Sequence, residues 1–151
     1  MAAYVIRLHP APAVLVFDHV GLPEAGTQVP AGGIGPGEPP ERAVLRETRE
    51  ETGLTATVVG RLAVEEKPHP QTGLPRRTTF FLLQAPADAP DTWLHQVRSE
   101  GDDAELTFAC RFVPLPLAGP LADHQDAWLG RADPGWATLG PPPGAAARNS
   151  S

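Results

Sequence analysis

The chain has 151 residues, a mass of 16.0 kDa and a formal net charge of −6, with 41% hydrophobic and 20% charged residues. These values are typical of one soluble globular domain, and no apolar run approaches the roughly 20 residues needed to span a bilayer. The acidic pI of about 5.3 disfavours general binding to nucleic-acid backbones, and a single cysteine, Cys110, excludes an internal disulfide.

The N-terminal half begins with two short apolar runs rich in β-forming residues, which predict strands at 4–8 and 14–17. Residues 19–37 are predicted to be mostly loop. A helix is predicted over roughly 40–52, because Pro39 and Pro40 suit a first helical turn and Gly53 suits the position after the last one. The N-terminal stretch lacks a basic region before an unbroken apolar run, so we expect a cytoplasmic protein without a secretory signal.

Further along the chain, strands are predicted at 55–65, 78–84, 93–97 and 106–113. Prolines in the segment KPHPQTGLPR, residues 67–76, predict a loop between the first two of these strands, and the acidic segment SEGDDAE, residues 99–105, predicts a loop between the last two. Helical spacing of Leu121, Gln125 and Trp128 predicts a second helix over 121–129. The expected fold class is α/β, a mixed sheet flanked by helices in one domain over 1–139, followed by a disordered tail at 140–151.

The predicted first helix has an unusual charge distribution. Glu47, Glu50 and Glu51 fall on one side of a helical wheel, next to the apolar positions, whereas the arginines fall on the other side. A solvated surface helix would interleave the signs, because each like-charge pair at i,i+3 or i,i+4 costs about 0.2–0.5 kcal/mol. The glutamate side therefore favours a nearby divalent cation, which prefers oxygen ligands. The preceding glycine-rich segment PAGGIGPGE can bring backbone close to a ligand.

This stretch resembles the signature of the Nudix hydrolases, which is Gly, five residues, Glu, seven residues, Arg-Glu-U-x-Glu-Glu-x-Gly-U, where U is usually aliphatic. All of the fixed positions match, namely Gly32, Glu38, Arg46, Glu47, Glu50, Glu51 and Gly53. Thr48 is the one departure, at an aliphatic position. The resemblance implies an α/β/α sandwich that uses Mg²⁺ or Mn²⁺ to hydrolyse a nucleoside diphosphate linked to another moiety.

The resemblance also implies roles for individual residues. Glu47, Glu50 and Glu51 match metal-coordinating positions, and the backbone carbonyl of Ala31 matches a further ligand. Arg46 and Glu38 match the pair that holds the helix against its loop. The catalytic base of the family is either a glutamate of the signature or an acid from a distant loop. The candidates for a distant acid are Glu100, Asp102, Asp103 and Glu105, with Glu105 favoured.

The remaining residues indicate less. His19 and His69 lie in loops near the expected cleft, where an ordinary surface role is the alternative. The tryptophans are predicted to be core rather than base-stacking residues, and Cys110 a buried small hydrophobe. Pro70 stands where the ADP-ribose-cleaving subgroup has a proline, a weak indication in a proline-rich loop. The expected partner is a small-molecule nucleoside diphosphate derivative, and a homodimer is compatible with the sequence. The alternative function is a non-catalytic Nudix domain that binds a nucleotide or partner as a sensor.

Overall fold

The computed structural model describes residues 1–98 and 105–140. Six strands and two α-helices are present in this part of the chain. In chain order they are β1 (Ala2–Arg7), β2 (Ala13–His19), α1 (Pro40–Thr52), β3 (Thr57–Pro68), β4 (Pro75–Gln84), β5 (Thr92–Arg98), β6 (Glu105–Pro114) and α2 (Leu129–Ala132). Single 3₁₀ turns occur at Pro23–Ala25, Ala122–His124 and Pro134–Trp136.

The six strands form one mixed sheet in the order β3-β4-β1-β2-β6-β5. Strands β1 and β4 pair in parallel, with Ala2 opposite Phe80, and the other neighbours are antiparallel. Helix α1 covers one face of the sheet through Ala43 and Val44, which are fully buried with Leu15 and Phe81. The C-terminal segment after β6 covers the other face. The predicted sandwich fold is therefore confirmed.

Helix α1 has the predicted bounds, and its ends show why. Pro40 occupies the first helical position, where the missing N–H of proline has no intrahelical acceptor to lose. Gly53 ends the helix in the left-handed region at φ 79°, and its N–H donates to the carbonyl of Arg49 over 2.8 Å. Thr48 is buried on the inner face, and its hydroxyl donates to the Val44 carbonyl, so a polar residue is accommodated at an aliphatic position.

The prediction of a helix over 121–129 is wrong. Asp123 and His124 adopt left-handed φ values of 53° and 51°, which an α-helix does not allow, and α2 begins only at Leu129. The carboxylate of Asp126 accepts hydrogen bonds from the Leu121 N–H and the Thr138 hydroxyl, which folds the segment back on itself. Leu121 and Leu129 are nevertheless buried against the sheet. The apolar pattern thus identified the buried residues but not their backbone conformation.

The prediction of a loop over 67–76 is also wrong. Strand β3 continues to Pro68 and β4 starts at Pro75, and these two prolines are paired with each other. Proline is tolerated there because β3 is an edge strand and both prolines lie at strand ends. The loop is confined to 69–74, where the His69 N–H donates to the Leu74 carbonyl over 2.8 Å.

Three of the acidic candidates, Glu100, Asp102 and Asp103, lie outside the described residues, as do residues 141–151 of the predicted tail. Glu105 is the first residue of β6. Within residues 1–98 and 105–140, none of the helices has the length and apolarity required to cross a bilayer.

Candidate functional site

A bidentate ion pair fixes the loop that precedes α1 to the helix. Arg46 Nε and Nη2 donate to the two carboxylate oxygens of Glu38 over 2.8 and 2.9 Å, and Glu38 Oε1 also accepts from the Gly35 N–H at 3.0 Å. The hydrogen bonds from Arg46 lower the pKa of Glu38 to about 2. The contact implied by the family resemblance is therefore present in the structure.

Arg46 also reaches the acidic side of α1. Its Nη1 lies 2.9 Å from Glu47 Oε1 and 3.2 Å from Glu50 Oε2, and its Nη2 donates to the Gly33 carbonyl over 3.1 Å. The helical wheel placed the arginines away from the glutamates, and for Arg46 this expectation is wrong. Its side chain is long enough for the guanidinium to reach Glu47 and Glu50. Arg46 and Glu50, which are four positions apart on the helix, form a favourable ion pair.

Glu51 is the most deeply placed of the three glutamates. Its Oε1 accepts a hydrogen bond from the Ala31 N–H over 2.9 Å. Burial raises the pKa of Glu51 to about 8, an effect that the Ala31 N–H opposes and that the neighbouring glutamates strengthen. Burial likewise raises the pKa of Glu47, while Arg46 opposes the change. The negative charges of Glu47 and Glu51 are therefore not fully balanced by the surrounding protein.

Glu47 lies directly against the glycine-rich loop. A Cβ atom added to Gly32 would stand 2.4 Å from Glu47 Cδ and 2.6 Å from both carboxylate oxygens. The loop is held in place by β1, since the Gly32 N–H donates to the Met1 carbonyl over 3.0 Å and the Ala3 N–H donates to the Pro30 carbonyl over 2.9 Å. A larger residue at position 32 would thus displace the Glu47 carboxylate or the loop, whereas the φ value of Gly32 imposes no such restriction.

The donor set suits a hard divalent cation. Three carboxylates and the nearby backbone of Ala31 supply the oxygen ligands that Mg²⁺ and Mn²⁺ prefer. In the part of the chain that the structure describes, no three His, Cys, Asp or Glu side chains are grouped closely enough to hold a metal. The carboxylates of Glu47 and Glu50 are instead turned toward Arg46, and that of Glu51 toward the Ala31 N–H. The residues fit the ion by chemistry and by their common side of the helix.

A cavity of about 550 Å³ adjoins the same loop. Gly32 and Gly33 line it together with charged residues of β3 and β4. The principal charged residues of the cavity are Glu65, Lys67, Arg76, Arg77 and Asp123. Gly32 both lines the cavity and lies against Glu47, so the glycine-rich loop adjoins the cavity and the glutamates.

Sequence reasoning missed the charged wall of the cavity. Arg76 Nη2 lies 2.6 Å from Asp123 Oδ2, and Lys67 Nζ lies 3.3 Å from Asp123 Oδ1 and 3.2 Å from Glu65 Oε1. Trp128 Nε1 donates to Glu65 Oε2 over 2.9 Å. These residues are separated by up to 63 positions in the chain, so no local motif brings them together.

The histidines and aromatic residues have mainly structural contacts. His69 lines the cavity, but its Nδ1 accepts from the Gln71 N–H at 3.1 Å within the hairpin loop that also contains Pro70. The His19 ring packs on Phe108, with ring centroids 4.5 Å apart. Trp93, Trp128 and Trp136 pack against the two cores, as predicted.

Cys110 is buried on the helix side of the sheet, and burial raises the pKa of its thiol to about 12. A thiol with so high a pKa is not a nucleophile at neutral pH. The prediction of a buried small hydrophobe at this position is confirmed.

Comparison with known families gave one match, to the NUDIX domain, over residues 1–132. This range includes the glycine-rich loop, α1, all six strands and the cavity. A comparison with curated proteins gave no match.

Proposed function

Because a NUDIX domain spans residues 1–132 of the 151-residue chain, the protein belongs to the NUDIX family of hydrolases, and we propose that it cleaves the diphosphate linkage of a nucleoside diphosphate joined to another moiety in a divalent-metal-dependent reaction. The substrate is a small molecule, and the reaction is hydrolysis of a phosphoanhydride bond.

The observation that carries this proposal is the burial of the Glu51 carboxyl group without an ion-pair partner among the described residues. A carboxylate with its pKa raised to about 8 by burial, next to Glu47 with its pKa also raised, is unfavourable for folding unless a cation compensates it. Among the side chains that the structure describes, none forms an ion pair with Glu51. A purely structural helix gains nothing from this arrangement, whereas a bound cation would compensate the charge of both carboxylates.

Glu47, Glu50, Glu51 and the Ala31 carbonyl would hold the ion, Mg²⁺ or Mn²⁺. When bound, it supplies neutralisation of the phosphate charge and acidification of a water molecule. Arg46 acts through position rather than through contact with the substrate, since it links the loop at Glu38 and Gly33 to the helix that carries the glutamates.

The attacking water loses a proton to a carboxylate oxygen of the protein. Two sources for this base follow from the family resemblance. One is a glutamate of α1, either Glu47 or Glu50, and the other is an acid near the β5–β6 connection, for which Glu105 is the leading candidate. Cys110 takes no part in the proposed reaction.

The direct test measures hydrolysis of a panel of nucleoside diphosphate derivatives with and without Mg²⁺. We expect turnover only with the metal, and we expect Glu51→Gln to reduce it by at least about 100-fold, because the variant loses a ligand charge while keeping its volume. The matched control is Glu41→Gln on the same helix, where Glu41 pairs with Arg61 at the surface.

Two results would contradict the proposal. The metal assignment is wrong if Glu51→Gln hydrolyses the substrate as fast as the parent protein. Metal-independent nucleotide binding without turnover of any panel member would instead indicate the alternative function, a non-catalytic NUDIX domain that acts as a sensor.

The base is identified by comparing Glu105→Gln with Glu47→Gln. If Glu105 is the base, its substitution lowers kcat by about 100-fold or more and removes the lower limb of the pH–rate profile. If a glutamate of α1 is the base, Glu105→Gln retains most of the activity. The control is Glu66→Gln on the outer surface of β3, where the carboxylate is 74% exposed.

A further inference from the structure

Two of the three cationic side chains that line the cavity, Lys67 and Arg76, contact Asp123. Lys67 Nζ donates a hydrogen bond to the Asp123 carbonyl over 2.7 Å and forms ion pairs with Asp123 Oδ1 at 3.3 Å and Glu65 Oε1 at 3.2 Å. The positive charge of Lys67 is therefore balanced by two carboxylates of the protein.

Arg76 is not saturated. Of the five N–H groups of its guanidinium, one has a described acceptor, Asp123 Oδ2 at 2.6 Å. Its Nε is buried and has no hydrogen-bond partner among the described residues. The other N–H groups without a described acceptor are on the terminal nitrogens of a side chain that lines the cavity and is 28% exposed, so they are available to a ligand.

Arg7 has a similarly buried Nε, but its surroundings differ. Its guanidinium lies 4.4 Å from the centroid of the Phe112 ring and pairs with Asp91. Arg7 is not among the residues that line this cavity. Of these two arginines, Arg76 therefore lines the cavity and Arg7 does not.

Asp123 pairs with both Arg76 and Lys67. It contacts Arg76 and Lys67 through separate carboxylate oxygens, and its backbone adopts φ 53°. A left-handed aspartate costs of the order of 1 kcal/mol and persists where surrounding contacts fix it. The two ion pairs and the Lys67 hydrogen bond to the Asp123 carbonyl are the contacts that do so here.

We propose that Arg76 binds an oxyanion of the substrate through its free N–H groups and that Asp123 is the positioning residue that keeps the guanidinium on the cavity wall. This inference rests on the proposed function, because Gly32, which lies against Glu47, lines the same cavity as Arg76. The oxyanion is either a phosphate of the cleaved diphosphate or a further anionic group on the departing moiety.

The test compares Arg76→Gln with Arg77→Gln. Both variants remove one positive charge from the cavity lining, but Arg77 is 72% exposed and its closest carboxylate contact, with Glu66, is 3.9 Å long. Affinity for α,β-methylene-ADP with Mg²⁺ is measured by calorimetry, and kcat and KM are measured for any panel substrate that turns over. Arg76→Lys keeps the charge without the planar fork, and circular dichroism verifies that each variant is folded.

We expect Arg76→Gln to weaken analogue binding and raise KM by roughly tenfold to a hundredfold, with kcat changed by less than about threefold. Arg76→Lys should fall between the parent and Arg76→Gln, and Arg77→Gln should change KM by less than about threefold. Equal effects of Arg76→Gln and Arg77→Gln would overturn the assignment, because a general electrostatic field would then account for both.

Two substrates distinguish the source of the oxyanion. ADP-ribose offers only the diphosphate, whereas a nucleoside triphosphate cleaved between its first two phosphates carries a further phosphate on the departing group. A KM increase in Arg76→Gln for both substrates places the diphosphate itself at Arg76. An increase for the triphosphate alone places the further phosphate there.

The role of Asp123 is tested by Asp123→Asn, which keeps the shape and tolerates a left-handed backbone. Two models predict changes in KM of opposite sign for this variant. A merely repulsive carboxylate predicts that its neutralisation lowers KM for an anionic substrate, whereas a positioning carboxylate predicts that KM rises with little change in kcat. A lower KM would overturn the positioning role.

Failure of this inference and failure of the proposed function have different signatures. Analogue binding that depends on Arg76, without turnover of any substrate, contradicts only the hydrolase assignment. Metal-dependent turnover with an unchanged KM in Arg76→Gln contradicts only the role of Arg76. A parent protein that binds no analogue at millimolar concentration contradicts the anion site.

Discussion

Gly32 lies against Glu47, one of the carboxylates of the proposed metal site. An added methyl group would overlap the carboxylate of Glu47, so that either the side chain or the loop must move. We expect Gly32→Ala to lower kcat by at least about tenfold, because a displacement near 1 Å in a catalytic group is sufficient for such a loss. The measurement is steady-state hydrolysis with Mg²⁺.

The adjacent glycine is the matched control for this variant. An added Cβ at Gly33 meets nothing within 4 Å, so Gly33→Ala makes the same chemical change without overlap. We expect nearly parental activity from it. Equal losses in Gly32→Ala and Gly33→Ala would show that loop flexibility, rather than contact with Glu47, explains the requirement.

Glu51 should make the metal-free protein sensitive to pH. Its pKa rises from an ordinary value of 4.5 to about 8 on folding, so the folded state binds the proton more tightly. The contribution of this group to stability is therefore greatest below pH 4.5 and declines as the pH rises to about 8. In EDTA at pH 8.5, we expect the unfolding free energy of Glu51→Gln to exceed that of the parent by about 1 kcal/mol or more.

Urea denaturation at pH 6 and pH 8.5 measures this difference. The control is Glu50→Gln, one position earlier on the helix, where the side chain is half exposed. A smaller gain at pH 8.5 than at pH 6 for Glu51→Gln would contradict the sign derived from burial. Saturating Mg²⁺ should reverse the order of parent and variant, because only the parent keeps the full set of ligands.

At the residue scale, the sequence predicted the candidate residues of α1 and its loop but not the charged cavity wall. Glu38 and Arg46 lie within one short motif, and local helical geometry brings them together. Arg76 and Asp123 are separated by 47 positions and meet only after the hairpin and the C-terminal segment have packed. No periodicity in the sequence encodes such a contact.

At the element scale, strand β5 supports the C-terminal end of α1. Trp93 Nε1 donates to the Thr52 carbonyl over 2.7 Å, and His95 Nε2 lies 2.9 Å from the Glu50 carbonyl. The last carbonyls of a helix lack intrahelical donors, so these side chains satisfy groups that would otherwise be unpaired. Edge strand and helix are thereby joined next to Glu50 and Glu51.

Removing the indole donor should weaken this junction. We expect Trp93→Phe to lower the unfolding free energy by about 1–3 kcal/mol, from lost packing and an unpaired carbonyl. Chemical denaturation measures the loss. Trp136→Phe is a suitable control, because Trp136 lies in a 3₁₀ turn on the opposite side of the sheet. A loss in Trp93→Phe no larger than in Trp136→Phe would show that the hydrogen bond to Thr52 contributes nothing.

The elements themselves were predicted with unequal success for a physical reason. Helix α1 carries its own start and stop signals, at Pro40 and Gly53, and these act locally. The segment 121–129 has helical spacing, but the carboxylate of Asp126 and the ion pairs of Asp123 impose a different backbone. Strand β4 begins at Pro75 because pairing with β3 outweighs the local preference for a turn.

At the scale of the whole molecule, buried Tyr4 connects the sheet to the C-terminal segment that follows β6. Tyr4, on β1, donates its hydroxyl to the Gln125 carbonyl and accepts from the Trp128 N–H at 3.1 Å. The Gln125 side chain in turn accepts from the Val29 N–H over 2.8 Å, just before the glycine-rich loop. The sheet, the loop and the C-terminal segment are thus linked through a single chain of contacts.

Tyr4→Phe tests this connection. The variant leaves two partly buried backbone groups, the Gln125 carbonyl and the Trp128 N–H, without a partner, so we expect a loss of about 1–3 kcal/mol in unfolding free energy. Because Asp123 lies two residues from Gln125, we also expect a higher KM with little change in kcat. Parental stability in urea denaturation would mean that other contacts hold the C-terminal segment in place.

The account depends most directly on metal binding by the glutamates of α1. Titration of the protein with Mn²⁺, followed by electron paramagnetic resonance of the free ion, measures this binding without requiring a known substrate. We predict at least one bound ion in the parent protein and affinity weakened by at least about tenfold in the Glu47→Gln/Glu51→Gln double variant. Identical Mn²⁺ binding by the parent and the double variant would contradict the account.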